Sequence, residues 1–228
     1  MSDMAERLAA VQARIAEACG RVGRDTEEVQ LLAAAKKRTP EEVDEAAGAG
    51  VMTVGENRVQ EAREKIPLCS GRLEWHMIGH LQSNKVREAV RLFSMIHSVD
   101  SAKLLAAIDS ACGATGKTMP VCLEVNVSGE SSKFGLVPGD VPALLEMSSG
   151  LMNVDVVGLM TMPPFTPDPE GARPYFRKLR EFRDKWRDAT GMMLGDLSIG
   201  MSNDFEVAVE EGATWIRLGT LLFGDRDR

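Results

Sequence analysis

The chain has 228 residues, 44% of them hydrophobic and 27% charged, with a formal net charge of -7. That length suits one large domain or two small ones, and the acidic excess excludes a nucleic-acid binder working through a broad basic face. No apolar run approaches a membrane span, and Cys19, Cys69, Cys112 and Cys122 lie too far apart for a zinc site, so they read as reduced thiols of a cytoplasmic protein.

The first predicted element is an amphipathic helix over 1–20, "MSDMAERLAAVQARIAEACG", packed on a body through apolar residues at helical spacing. Its mixed charge marks it as neither a signal nor a transit peptide. Short β-branched apolar runs then recur at 29–35, 51–56, 73–79, 94–99, 120–127, 154–161, 196–200 and 214–219. Helical spacing fills the segments between, at 40–48, 57–65, 83–92, 101–115, 140–149, 169–190 and 203–211. Several of these open on residues that cap helices: Thr39 ahead of Pro40, Ser83, Asp100 and Ser202.

Strands that are near-continuously apolar and alternate with helices predict a parallel sheet covered on its outside. Eight repeats predict an α/β fold, a single (β/α)8 TIM-type barrel over 1–228 with an additional N-terminal helix. The rival open sheet would carry a glycine-rich fingerprint after its first strand, and none is present. "PPFTPDPEG" (163–171) reads as a stiff loop over the barrel mouth.

Barrel chemistry sits at the C-terminal ends of the strands. There "LLAAAKKRTP" ends its apolar run on Lys36, although an ammonium is too strongly hydrated to be buried without a partner. After the seventh strand, "SIGMSND" sets Ser198, Gly200, Met201 and Ser202 ahead of a helix start. After the eighth, "RLGT" adds Gly219 and the Thr220 hydroxyl, which completes a phosphate site of the kind barrels build between these two loops. A lysine opposite a phosphate site fits a phosphorylated carbonyl compound held as an imine, with Lys37 and Arg38 as cationic neighbours that lower the amine's pKa. A phosphosugar, as in Schiff-base lyases, and pyridoxal 5′-phosphate both fit at this point.

The segments "LLAAAK", "VGENRVQE", "WHMIGHLQSNK", "HSVD", "VNVSGESSKFGL", "GLMTM", "LSIGMSNDFEVAVEEG" and "IRLGTLLFG" occur in this order over 31–225. In them the chain resembles the pyridoxal-phosphate homeostasis proteins of the YggS/PROSC type, relatives of the barrel domain of alanine racemase. The resemblance implies that Lys36 carries the cofactor as a Schiff base, with Lys37 as the alternative. Ser202, Gly219 and Thr220 would hold the phosphate, while Ser198, Gly200 and Met201 would shape the turn. Arg217 would face the pyridine nitrogen, and Asn57 and Met160 would line the ring. Three positions depart from the family: Ala35 replaces a Ser or Thr, Pro40 comes one residue late, and Val54 replaces an aromatic.

Arg217 is a permanent cation that can only donate, so the ring nitrogen beside it stays unprotonated and the cofactor is a weak electron sink. Two-base racemisation needs a proton carrier on each face, and the racemases take one, a tyrosine, from a second domain of a partner subunit. No second domain is expected after the barrel, and Tyr175, the single tyrosine, lies in a helical segment. The expected protein is therefore a cytoplasmic, monomeric carrier and regulator of pyridoxal phosphate without strong catalysis, with apo-enzymes that use the cofactor as recipients and no nucleic-acid, membrane or metal partner. A low-efficiency racemase or transaminase and a phosphosugar Schiff-base lyase are the alternatives. His76 and His97 are expected in the core or rim and His80 near the mouth; Lys133 is expected as a solvated loop lysine.

Overall fold

The apolar runs pair in the order in which they occur. In this computed structural model, which describes residues 3–130 and 132–225, they form β1 (Gln30–Ala34), β2 (Thr53–Glu56), β3 (Glu74–Met77), β4 (Met95–Val99), β5 (Met119–Glu124), β6 (Val154–Met160), β7 (Asp196–Met201) and β8 (Trp215–Leu218). The strands are parallel and close into a barrel, with β1 against β8 in the register Leu32 to Arg217 and Ala33 to Leu218. Around them lie α1 (Asp3–Val22), α2 (Pro40–Ala49), α3 (Val59–Lys65), α4 (Val86–Leu92), α5 (Ala102–Gly113), α6 (Val141–Ser148), α7 (Arg173–Thr190), α8 (Phe205–Glu210) and α9 (Thr220–Phe223). Among the described residues, no helix is long and apolar enough to cross a membrane.

Local chemistry explains the element ends. Thr39 and Glu42 form a reciprocal capping box around Pro40, and α2 stops at Gly50, whose φ of 113° only glycine adopts freely. α1 buries Met4, Leu8, Val11, Ile15 and Ala18, one stripe at helical spacing, against α8, α9 and α2. Each fully buried aliphatic side chain of this kind contributes about 1.5–3 kcal/mol. Polar ties add direction: Arg14 grips Glu206 through two bonds of 2.9 and 3.0 Å, and Arg24 donates to the carbonyls of Val209 and Ala213 at 2.6 and 2.9 Å.

The caps differ from expectation at three places. Ser101, not Asp100, caps α5 by accepting from the Leu104 amide, because the Asp100 carboxylate is drawn to His80 at 2.9 Å. Ser83 opens a 3-10 turn over 83–85 rather than capping α4. Ser202 turns its hydroxyl to the loop after β8, which leaves Asp204 as the residue flanking α8. The fifth strand ends at Glu124, three residues early, and Val125 makes only an isolated bridge to Leu136.

Candidate functional site

The end of β1 separates its two lysines. The Ala35 amide still donates to the Gly55 carbonyl at 2.9 Å, and the Arg38 amide then returns to the Ala35 carbonyl at 2.9 Å, closing a tight turn. Lys37 occupies that turn with φ 61°, a left-handed conformation that costs an L residue about 1–2 kcal/mol. The turn exposes Lys37 and leaves Lys36 half-buried. Lys36 lines a cavity of about 760 Å³ with Asn57, Met77, His80 and Phe134, whereas Lys37 lines a separate, shallower one of about 310 Å³.

A buried ion pair supports this turn. Lys65 reaches in from α3, donates to the Ala35 carbonyl at 2.7 Å and pairs with the fully buried Glu56 at the end of β2. Burial pushes the Glu56 carboxyl above its usual value and Lys65 pulls it back. Glu56 also accepts from the Asn57 amide at 3.3 Å. Asn57 in turn lies so close to the end of β3 that a Cβ on Gly79 would come within 2.4 Å of the Asn57 carbonyl oxygen.

A second polar group crosses the barrel interior. Arg217, buried on β8, donates to the Ser198 carbonyl at 2.6 Å, to the Ser198 hydroxyl at 2.7 Å and to the Thr161 carbonyl at 3.1 Å. Ser198 Oγ lies 2.8 Å from His97 Nδ1, and His97 Nε2 lies 3.0 Å from His76 Nδ1. Burial pulls His76 down to about 4 and His97 well below the usual imidazole value. Ser198, expected in the turn after the seventh strand, thus lies inside the barrel. Met160 is buried with Met95 and Cys122.

At the ends of β7 and β8, Ser202 Oγ accepts from the Gly219 amide at 3.2 Å and the Leu221 amide at 3.5 Å. Gly200 has φ 90°, and a Cβ there would lie 2.5 Å from Ala208 Cβ, so only glycine lets α8 pack on this strand. A Cβ on Gly219 would meet nothing nearer than the Ala34 carbonyl at 3.6 Å, which leaves its backbone open to a close ligand beside the strand that carries Lys36. Met201 and Ser202 are half-buried and Thr220 is exposed. Lys36 and Asn57 therefore share one cavity, Ser198 and Arg217 share a buried layer, and Ser202 and Gly219 share the β7–β8 rim.

Sequence reasoning passed over Glu124 and Lys65 here. Glu124, at the C-terminal end of β5, is only 7% exposed. Burial pushes its carboxyl up to about 7, Asp100 adds to the rise, and Arg217 pulls it back. Its position at a strand end in "LEVNV" was the available signal. The His80 ring, paired with Asp100, stacks on Phe134 with centroids 4.0 Å apart. Lys65 looked like ordinary helix charge. Lys133 is half-buried, its amide held by the Glu130 carbonyl at 3.1 Å. No group of metal-ligating side chains forms among the described residues.

The sequence matches the family described as alanine racemase, N-terminal domain, over residues 7–227. The pyridoxal phosphate homeostasis protein of Aquifex aeolicus is 46% identical over 222 residues, 97% of this chain and 97% of that one. Its counterpart in Pseudomonas aeruginosa is 44% identical over 228 residues, 100% of this chain and 97% of the relative. Among solved structures, PipY of Synechococcus elongatus with PLP bound superposes with a TM-score of 0.88 at 38% identity, covering 97% of this chain and 100% of PipY.

Proposed function

The chain belongs to the alanine racemase N-terminal-domain family, among its pyridoxal phosphate homeostasis proteins, and we propose that it holds pyridoxal 5′-phosphate as a Schiff base on Lys36. The observation that carries this reading is the position of Lys36. It is half-buried at the C-terminal end of β1 on a cavity of about 760 Å³, beside the strand end that brings Gly219 and Ser202 together. The residues fit the cofactor's parts. The Ser202 hydroxyl, positioned by the Gly219 amide, can donate to the phosphate, with Thr220 beside it and Gly200 and Met201 setting the turn. Asn57, on the cavity with Lys36, can line the ring, whereas Met160 is packed below it against Met95 and Cys122.

When bound, the cofactor supplies an electron sink whose strength depends on protonation of its ring nitrogen. Arg217 is a cation with no acceptor atom, held by three oxygens, and it keeps that nitrogen unprotonated. The protein then works as a carrier and regulator in the cytoplasm. It acts as a monomer that releases the cofactor to apo-enzymes and does little chemistry of its own.

One observation favours a second reading, a low-efficiency racemase or transaminase. Glu124 titrates at about 7, near Asp100 and Arg217, and can therefore carry a proton at neutral pH. Loss of α-deuterium from amino acids well above the rate with free cofactor would establish it.

The test is an absorbance titration of the cofactor-free protein with pyridoxal phosphate, beside Lys36→Ala and Lys37→Ala. An imine band in the wild type and Lys37→Ala, absent from Lys36→Ala, is the expected result. Equal bands in all three would mean surface imines. Borohydride trapping of a sugar phosphate on Lys36, with indifference to pyridoxal phosphate, would return the phosphosugar lyase.

A further inference from the structure

The buried polar chain that crosses the barrel has one consistent arrangement of protons. Arg217 can only donate, so Ser198 Oγ accepts from it at 2.7 Å and its own hydrogen is free to point elsewhere. The remaining partner of that hydroxyl is His97 Nδ1 at 2.8 Å, and a bare Nδ1 gives the Ser198 hydrogen an acceptor there. His97 therefore carries its proton on Nε2 and donates to His76 Nδ1 at 3.0 Å. His76 in turn carries its proton on Nε2, which lies 3.8 Å from the Glu74 carboxylate at the opposite end of the barrel. The reverse arrangement would set a bare Nε2 of His76 against that carboxylate, acceptor facing acceptor. Charging either ring would add a proton on a nitrogen that already accepts one.

We infer that His97 and His76 are positioning residues for Arg217: as neutral, Nε2-protonated imidazoles they hold the Ser198 hydroxyl so that its lone pair accepts from the guanidinium. The placement supports this role. Ser198 and His97 are fully buried, His76 nearly so, and the Trp215 ring packs its centroid 4.9 Å from His76 and 5.7 Å from His97. The charged groups that face the pair are Glu74 beside His76 on β3 and Arg217 beyond Ser198 on β8. Anchored this way, Arg217 cannot swing, and its remaining donor capacity keeps one direction. The inference rests on the reading that the cofactor's ring nitrogen faces Arg217, but it makes claims about the ligand-free protein as well.

Nitrogen NMR on the ligand-free protein is the first test. Both imidazoles are expected as Nε2–H tautomers that do not titrate near the ordinary imidazole value, and the Arg217 guanidinium is expected to show hindered rotation. His97→Leu should release that rotation, whereas His97→Asn, which keeps an acceptor where Nδ1 stood, should retain it. In the cofactor titration, His97→Leu should weaken binding by about tenfold or more and shift the pH profile of the imine band, with His97→Asn close to wild type. Either ring found as the Nδ1–H tautomer, or titrating near the ordinary imidazole value, would overturn the inference. So would a His97→Leu protein with unchanged guanidinium rotation and pH profile. If His97→Leu does not fold, the wild-type tautomers and the milder His76→Gln variant decide. A wild type without an imine band would sink the cofactor reading alone, and the tautomers and guanidinium rotation would still decide the role of the histidines.

Discussion

Replacing Glu124 with glutamine removes one titration from the barrel mouth and leaves its shape almost unchanged. In the folded chain the carboxyl titrates at about 7 against an ordinary value of 4.5, because burial next to Asp100 outweighs the pull of Arg217. That gap of about 2.5, at 1.36 kcal/mol per pH unit, is worth about 3 kcal/mol. The sign follows from proton counts. Between pH 4.5 and 7 the native state keeps a proton that the unfolded chain has lost, so wild-type stability falls as pH rises through this window. Glutamine mimics the protonated form at every pH. Urea unfolding of both proteins from pH 4 to 8.5 should therefore give equal stabilities at the acid end. The variant should lead by about 3 kcal/mol at pH 8, or about 6–12 °C in Tm for a chain of this size. A difference that stays flat across the range would refute the reasoning, since it would mean that water reaches the carboxyl freely.

Lys65→Met should destabilise by about 3–5 kcal/mol, because Glu56 is left charged and fully buried, and adding Glu56→Gln should recover much of that loss in the same urea measurement. Equal stabilities for the single and double variants would show that the pair is not the cause. The Lys65→Met protein should also bind pyridoxal phosphate more weakly, since the Ala35 carbonyl loses the ammonium that holds the Lys36 turn. Lys37→Gly should cost nothing or gain up to about 1 kcal/mol by relieving the left-handed backbone, whereas Lys37→Val, β-branched, should lose more than about 1 kcal/mol. Denaturation midpoints compare the two, and similar losses for both would mean that the turn changes conformation to suit its residue.

The barrel was legible because every strand is a compact apolar run and each is followed by helical spacing, so the count of eight survived errors at the edges. Those errors have local causes. Asp100 looked like a cap, but the neighbouring turn offers His80 to its carboxylate, a contact between β3 and β4 that no local pattern announces. α9 spans four residues, too few for any period to show. In the candidate site, Lys36 could be picked out because it interrupts an apolar run at a strand end, whereas Asn57 came only with the family resemblance. Lys65 could not, because a lysine in "VQEAREK" resembles any solvated helix charge until the fold buries it against Glu56. The bond between His97 and Ser198 joins residues 101 positions apart across the barrel, and only the closed sheet brings them together.

The placement of α1 has a consequence for how the chain is made. Its apolar stripe packs on α8 and α9, Arg14 waits for a partner 192 residues later, and β1 is sealed by β8. At about 5–20 residues per second, translation needs on the order of 10–40 s to deliver those partners. Throughout that interval the nascent chain carries an uncovered amphipathic helix and an open strand edge, the two features that invite association with other chains. Helix α1 cannot complete its packing until α8 and α9 have been made, so substitutions in α8 that spare the finished fold should still lower the yield of folded chains during synthesis.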